Sequence, residues 1–245
     1  MKAVAIIPAR YASSRLPGKP LMKETGKFLI QHVCEQAVRA ATIGRVIVAT
    51  DDQRIADAVL SFGGEAIMTR ADHVSGTDRV AEVASGLTAE IIVNVQGDEP
   101  ELEPAAIDTL VRLMESRPEA GIGTLACSFA KGTDPTDPNA VKVVLDHTGR
   151  ALYFSRSLVP FPRESAGKPA DASRWLLHLG IYAYRREFLL KLATLPPTPL
   201  ELAEKLEQLR VLEHGYPLVV GKVERAAIGI DTPEDYAAFV ARLRR

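Results

Sequence analysis

The chain is short of cysteine, of net charge, of long apolar runs and of the common glycine-rich nucleotide loops, and each shortage narrows what it can be. Cysteine occurs twice in 245 residues. Cys34 lies in QHVCEQAV and Cys127 in GTLACSF, apolar settings in which a buried, reduced thiol is expected; neither suggests a disulfide, a zinc site or a nucleophile. The formal net charge is −1, which argues against a general nucleic-acid binder, since that role needs a basic face to displace phosphate counterions. The apolar opening, Met1 to Ala9, is interrupted by Pro8 and closed by Arg10. That is too short for a membrane span or a signal core with its cleavage site, so a cytoplasmic location without membrane attachment is expected. After the opening run there is neither GxxxxGK[ST] nor GxGxxG, which counts against a P-loop NTPase and an NAD-dependent oxidoreductase.

What is present reads as an ordinary soluble α/β protein: 47% of residues are hydrophobic and 25% charged, with a single domain over residues 1–245 as the expectation. Short β-rich runs, AVAII (3–7), RVIVAT (45–50), EAIM (65–68), EIIVNV (90–95) and GIGTLAC (121–127), alternate with helical patterns. Near-continuous apolarity implies strands covered on both faces, as in a parallel sheet. Ile30, Val33, Cys34, Ala37, Val38 and Ala41 recur at helical spacing, and Pro104 starts another helix ahead of Ile107, Leu110, Val111 and Met114. The rhythm changes after Cys127. VKVVLDHTGRALYFSR reads as an antiparallel hairpin about a turn containing Thr148 and Gly149, within a smaller inserted subregion at 128–185. Residues 160–173 have the composition of a mobile surface loop. PPTPLELAEKLEQLRVL places Leu202, Leu206 and Leu209 on one face of a helix. The last helix starts at Thr232 as N-cap, with Pro233 at N1 and Asp235 closing a capping box.

Three places could carry chemistry. The first 30 residues hold Lys2, Arg10, Arg15, Lys19, Lys23 and Lys27 against Glu24 alone, so a small polyanion is the natural partner. In IIPARYASSRLPGKPL, small residues leave backbone N–H groups accessible, while Arg10, Arg15 and Lys19 supply charge-assisted bonds to phosphate oxygens. The second place is VNVQGDEP, where an apolar strand delivers Asp98 and Glu99 just beyond its carboxyl end, hard oxygens suited to Mg²⁺. The third is GIDTPED, where Asp231 precedes the N-cap. The capping role already belongs to Thr232 and Asp235, which leaves Asp231 for a ligand.

At these residues the sequence resembles the bacterial 3-deoxy-manno-octulosonate (Kdo) cytidylyltransferases. IIPARYASSRLPGKPL, ATDD, MTRADHVSGTDR, VNVQGDEP, PNAVKVVLD, ALYFSR, HLGIYAYR, LEQLRVL and GIDTPED follow that family's signatures in its order. The opening loop alone is shared with other cytidylyltransferases. The resemblance implies a Rossmann-like nucleotidyltransferase fold, mostly a parallel sheet with helices on both faces plus a smaller antiparallel subregion. It further implies a homodimer with contacts after about residue 125, and Mg²⁺-dependent transfer of CMP from CTP to the anomeric hydroxyl of Kdo, for lipopolysaccharide biosynthesis.

Carried over by motif, Arg10, Ser13, Arg15 and Lys19 would hold the triphosphate, with Arg70, Asp72, Ser75 and Gln96 around cytosine and ribose. Asp98 and Asp231 would be the metal ligands. Arg156, His178, Tyr182, Glu207 and Gln208 would hold the sugar, a set of one cation with several donors and acceptors that suits a polyhydroxylated carboxylate. Each of these has a plainer reading. Tyr182 suits a core aromatic, His178 could be bonded within the fold, and Glu207 could pair with Arg210 across one helical turn. The loop at 160–173, with Arg163 and Lys168, matches none of the signatures. An alternative sugar is a modified octulosonate such as 8-amino-Kdo, and an alternative class is a non-catalytic nucleotide-binding regulator.

Overall fold

The computed structural model describes residues 3–12, 16–169 and 171–244. The chain divides into two compact units, Met1–Val111 with Ala227–Arg245, and Arg112–Ala226. The expected subregion 128–185 lies inside the second.

In the first unit β1 (Ala3–Ala9), β2 (Ile43–Thr50), β3 (Ala66–Met68) and β4 (Ile91–Asn94) are parallel, in the order β3-β2-β1-β4. Burial along β1 and β4 is nearly complete, which is why their sequences are apolar without alternation. The helices of this unit are α1 (Leu29–Arg39), α2 (Gln53–Ser61), α3 (Gly76–Ser85), α4 (Pro104–Ser116), which carries the chain onward, and α8 (Pro233–Leu243). Capping sets where several of them begin. Asp52 accepts the Arg54 amide, Ser75 and Asp78 form a capping box, and Thr232 and Asp235 form the expected one, with Asp235 N–H to Thr232 Oγ1 at 3.1 Å. Leu16, Leu29, Ile230, Tyr236, Phe239 and Val240 make one buried cluster, with Met22 against it. Because Leu16 and Met22 bracket Lys19, and Ile230 precedes Asp231, this cluster seats two distant site segments together.

In the second unit β5 (Ile122–Ser128) pairs antiparallel with β8 (Leu176–Arg185) and parallel with β9 (Leu218–Lys222). The expected hairpin is β6 (Lys142–Leu145) with β7 (Ala151–Ser155). At its turn Asp146 accepts the amides of Thr148 and Arg150 at 2.7 and 2.9 Å, and Gly149 takes φ 82°, a conformation that suits a residue without Cβ. The helices are α5 (Arg186–Leu192), α6 (Pro199–Glu204) and α7 (Gln208–Glu213).

The single helix expected from Leu202 to Leu209 is two. Lys205 adopts φ 54°, ψ 46° and ends α6, so the helical register is lost. Leu206 and Leu209 are buried while Leu202 is 53% exposed. Arg210 pairs with Glu201, at 2.8 and 2.6 Å. The 160–173 loop contains two short 3-10 turns, Arg163–Ser165 and Ala172–Arg174. Trp175 Nε1 donates to the Pro160 carbonyl at 3.0 Å.

Candidate active site

Within the first unit, the loop after β1, the segment after β4 and the residue before the α8 N-cap line one cavity of about 420 Å³. Its walls include Arg10, Lys19, Gln96, Gly97, Asp98 and Asp231. The cavity opens at the carboxyl ends of parallel strands, the usual ligand position in such sheets. Two glycines shape it. Gly18 sits at φ 70° and donates to the Tyr11 carbonyl at 3.0 Å, turning the loop so that Lys19 follows. A Cβ on Gly97 would stand 3.1 Å from the Pro8 carbonyl oxygen, so the β4 end approaches β1 closely and a larger residue there would be crowded.

Lys19 lies between the two aspartates. Its Nζ donates to Asp98 Oδ2 at 2.8 Å and to the Ile230 carbonyl at 2.6 Å, and is 3.7 Å from Asp231 Oδ1. The Asp98 and Asp231 side chains are partly exposed and Lys19 is largely covered. Next to Asp98, burial pushes the Glu99 carboxyl up to about 7, with the charge of Asp98 adding to the effect. Arg10 Nη2 donates to the His73 carbonyl and, at 3.4 Å, to that of Ser75. This fastens the end of β1 to the start of α3. Ser13 and Arg15 lie outside the described residues.

Among the residues expected around the base and ribose, two hold each other. Arg70 and Asp72 form a two-pronged ion pair at 2.9 and 3.0 Å, both side chains well exposed, which leaves them accessible to a ligand. The Ser75 hydroxyl accepts the Asp78 amide at 3.1 Å as the α3 N-cap, so its side chain is already engaged. Only Gln96 of this group lines the cavity.

In the second unit, His178 and Tyr182 lie on β8. The His178 ring is 4.9 Å from Phe154 and 5.5 Å from Tyr182, and its Nε2 is 3.1 Å from Thr124 Oγ1. Burial pushes the imidazole down to about 3 because charging it there would forfeit hydration. Burial also drives the Tyr182 hydroxyl well above its ordinary value, followed by the nearby Tyr184 and Glu207. Gln208 is buried and its Nε2 has no hydrogen-bond partner. An unmatched buried donor of this kind is costly, and a hydroxyl-rich ligand would satisfy it.

The Arg156 guanidinium is committed to backbone carbonyls, Nε to Glu204 at 2.7 Å and Nη1 to Pro138 at 2.9 Å, which clasps two turns and leaves N–H groups over. Arg163 lines a separate cavity of about 460 Å³ with Asp171, Arg174 and Trp175. The Lys168 amide closes a turn onto Ser165.

A family model described as Cytidylyltransferase matches residues 4–224. The 3-deoxy-manno-octulosonate cytidylyltransferase of Syntrophotalea carbinolica is 52% identical over 100% of this chain and 99% of its own length. That of Geobacter sulfurreducens is 51% identical over the whole of both. The chain belongs to this cytidylyltransferase family. A solved CMP:2-keto-3-deoxy-manno-octonic acid synthetase complexed with CTP superposes with a TM-score of 0.92 at 45% identity, covering 100% of this chain and 99% of that one. The Rossmann-like α/β fold, mostly parallel with added antiparallel strands, is therefore the fold of a cytidylyltransferase.

Several residues of this cytidylyltransferase escape a reading by motif. The Ile230 and His73 carbonyls hold Lys19 and Arg10, and backbone groups carry no side-chain signature. Glu204 accepts Ser155 Oγ at 2.6 Å and the Arg156 amide at 2.9 Å, and only the tertiary structure brings it to β7. Lys142 is fully buried and donates to the carbonyls of Asp137 and Arg156 at 2.9 and 2.6 Å. A lysine inside the apolar run VKVV is the one signal that could have found it.

The expected Mg²⁺ can be tested against the donor set. Asp98 and Asp231 are hard, partly exposed carboxylates that converge on one positive charge, the Lys19 ammonium. Two carboxylates with open space beside them suit a cation that takes the rest of its ligands from water and phosphate. The residues fit the ion.

Proposed function

We infer that the chain transfers CMP from CTP to the anomeric hydroxyl of Kdo, giving CMP-Kdo and pyrophosphate. The observation that carries this reading is full-length similarity to a solved synthetase complexed with CTP, joined to a cavity lined by Arg10, Lys19, Asp98 and Asp231. The sugar hydroxyl oxygen attacks the α-phosphorus, the bond to the bridging oxygen of the β-phosphate breaks, and the hydroxyl proton passes to solvent. Arg10, Ser13, Arg15 and Lys19 bind the triphosphate, and Arg15 and Lys19 complement the charge that grows on departing pyrophosphate. Arg70, Asp72, Ser75 and Gln96 orient cytosine and ribose. Arg156, His178, Tyr182, Glu207 and Gln208 hold the sugar; a neutral His178 offers one donor or acceptor without charge. Asp98 and Asp231 would hold Mg²⁺, which supplies Lewis-acid neutralisation of phosphate charge.

A homodimer, a cytoplasmic location and a place in lipopolysaccharide biosynthesis go with this reading. Among the described residues no helix is long and apolar enough to cross a membrane. The relatives carry names for the unmodified sugar, so the 8-amino analogue and the non-catalytic regulator are not favoured.

Pyrophosphate release across CTP, other nucleoside triphosphates and several acidic sugars is the decisive assay. CTP with Kdo should be the preferred pair, and chelation should abolish turnover. Equal turnover with another acidic sugar, or release that survives chelation, would overturn the assignment of the sugar or of the metal respectively.

A further inference from the structure

We propose that Lys19 is a tethered counter-cation for Asp98 and Asp231, competing with a divalent ion for this carboxylate pair until a triphosphate draws the ammonium away. The proposal rests on the reading of the two aspartates as metal ligands and deepens it to the control of metal entry.

The geometry carries the argument. Lys19 Nζ is 2.8 Å from Asp98 Oδ2, 3.7 Å from Asp231 Oδ1 and 2.6 Å from the Ile230 carbonyl. It reaches this place from a loop held at both ends. Gly18 turns the backbone at φ 70°, Pro20 follows in a short 3-10 turn, and Leu16 and Met22 are anchored in the cluster that also contains Ile230. The ammonium is therefore not a floating surface charge that meets a carboxylate by chance. With its side chain only 13% exposed, it is shielded enough for the attraction to survive ordinary salt.

An ammonium and a divalent ion seek the same oxygens and repel each other at this range. Two consequences follow. Metal alone should bind weakly, because it must displace a tethered charge. Nucleotide should strengthen metal binding beyond what its own phosphates contribute, because those phosphates offer Lys19 another anion. By linkage the strengthening is mutual.

The test is Mn²⁺ titration, followed by electron paramagnetic resonance, of wild type, Lys19→Met, Lys19→Gln, Lys19→Arg and Asp98→Asn. Each is titrated with and without a non-hydrolysable CTP analogue, after subtracting Mn²⁺ bound to the analogue alone, and circular dichroism checks the fold. Without nucleotide, Lys19→Met and Lys19→Gln should bind Mn²⁺ about tenfold more tightly than wild type, as expected for removal of a partly shielded like charge. Lys19→Arg should stay weak. Affinities of the neutral variants equal to or below wild type overturn the counter-cation role. If Asp98→Asn binds Mn²⁺ as tightly as wild type in the presence of the analogue, the metal reading itself falls. If Asp98→Asn loses binding while the neutral variants gain none, only the tether falls.

Discussion

The amide of Ile230 donates to the carbonyl of Asp98 at 2.9 Å, so the segment after β4 and the segment before α8 are stitched together at the residues that flank the cavity. The two carboxylates are thus brought together by backbone, independently of their side chains. Asp98→Asn should keep the fold and its melting temperature within a few degrees while kcat falls by about a hundred- to a thousandfold, the range seen when one electrostatic stabiliser is removed. Pyrophosphate release at near-normal rates would sink the metal assignment.

Phe239 is buried in the cluster that seats Leu16 and Ile230. Phe239→Ala should cost about 3–5 kcal/mol of stability, from lost burial and the cavity left behind. Urea unfolding followed by fluorescence measures it. A loss below about 1 kcal/mol would show that the cluster does not hold these segments.

Glu204 accepts from both Ser155 Oγ and the Arg156 amide. Glu204→Ala leaves a buried Ser155 without its acceptor, for about 1–3 kcal/mol, and loosens Arg156. KM for the sugar should rise with KM for CTP little changed. A parallel rise in both would remove Arg156 from the sugar site.

His178 is neutral in the fold down to about pH 3, whereas in the unfolded chain it titrates near 6.5. The unfolded state therefore binds more protons between these values. The stability this residue contributes is complete above pH 6.5 and is lost as pH falls towards 3, with a slope of at most about 1.4 kcal/mol per unit. His178→Asn should flatten the stability profile between pH 6.5 and 5 relative to wild type. Identical profiles in chemical denaturation would refute the burial effect.

Burial pushes the Cys34 thiol up to about 12, and that of Cys127 also rises. Iodoacetamide at neutral pH should leave both untouched in the folded protein and alkylate both in denaturant, as mass spectrometry would reveal. Rapid labelling of the native chain would contradict their burial.

Local chemistry made the strands of the parallel sheet, the β6–β7 hairpin and the start of α8 legible, because each depends on neighbouring residues: continuous apolarity, a turn containing Thr148 and Gly149, a capping box. The break at Lys205 was not legible, since the leucine spacing there suits one helix and the second register is stabilised by the Arg210–Glu201 pair and the Glu204 contacts. The same limit applied to side-chain roles. Motif resemblance named Ser75 and Arg156 without revealing that one caps α3 and the other clasps backbone carbonyls.

The sequence by itself determined that the chain carries a basic loop, two acids at strand and helix ends, and the ordered signatures of a cytidylyltransferase. Only the tertiary structure decided that Lys19 stands between Asp98 and Asp231. Composition and spacing count charges along the chain, but which oxygens an ammonium meets depends on how β1, β4 and α8 pack around Leu16, Met22 and Ile230. That packing joins segments far apart in sequence and leaves no local pattern to read.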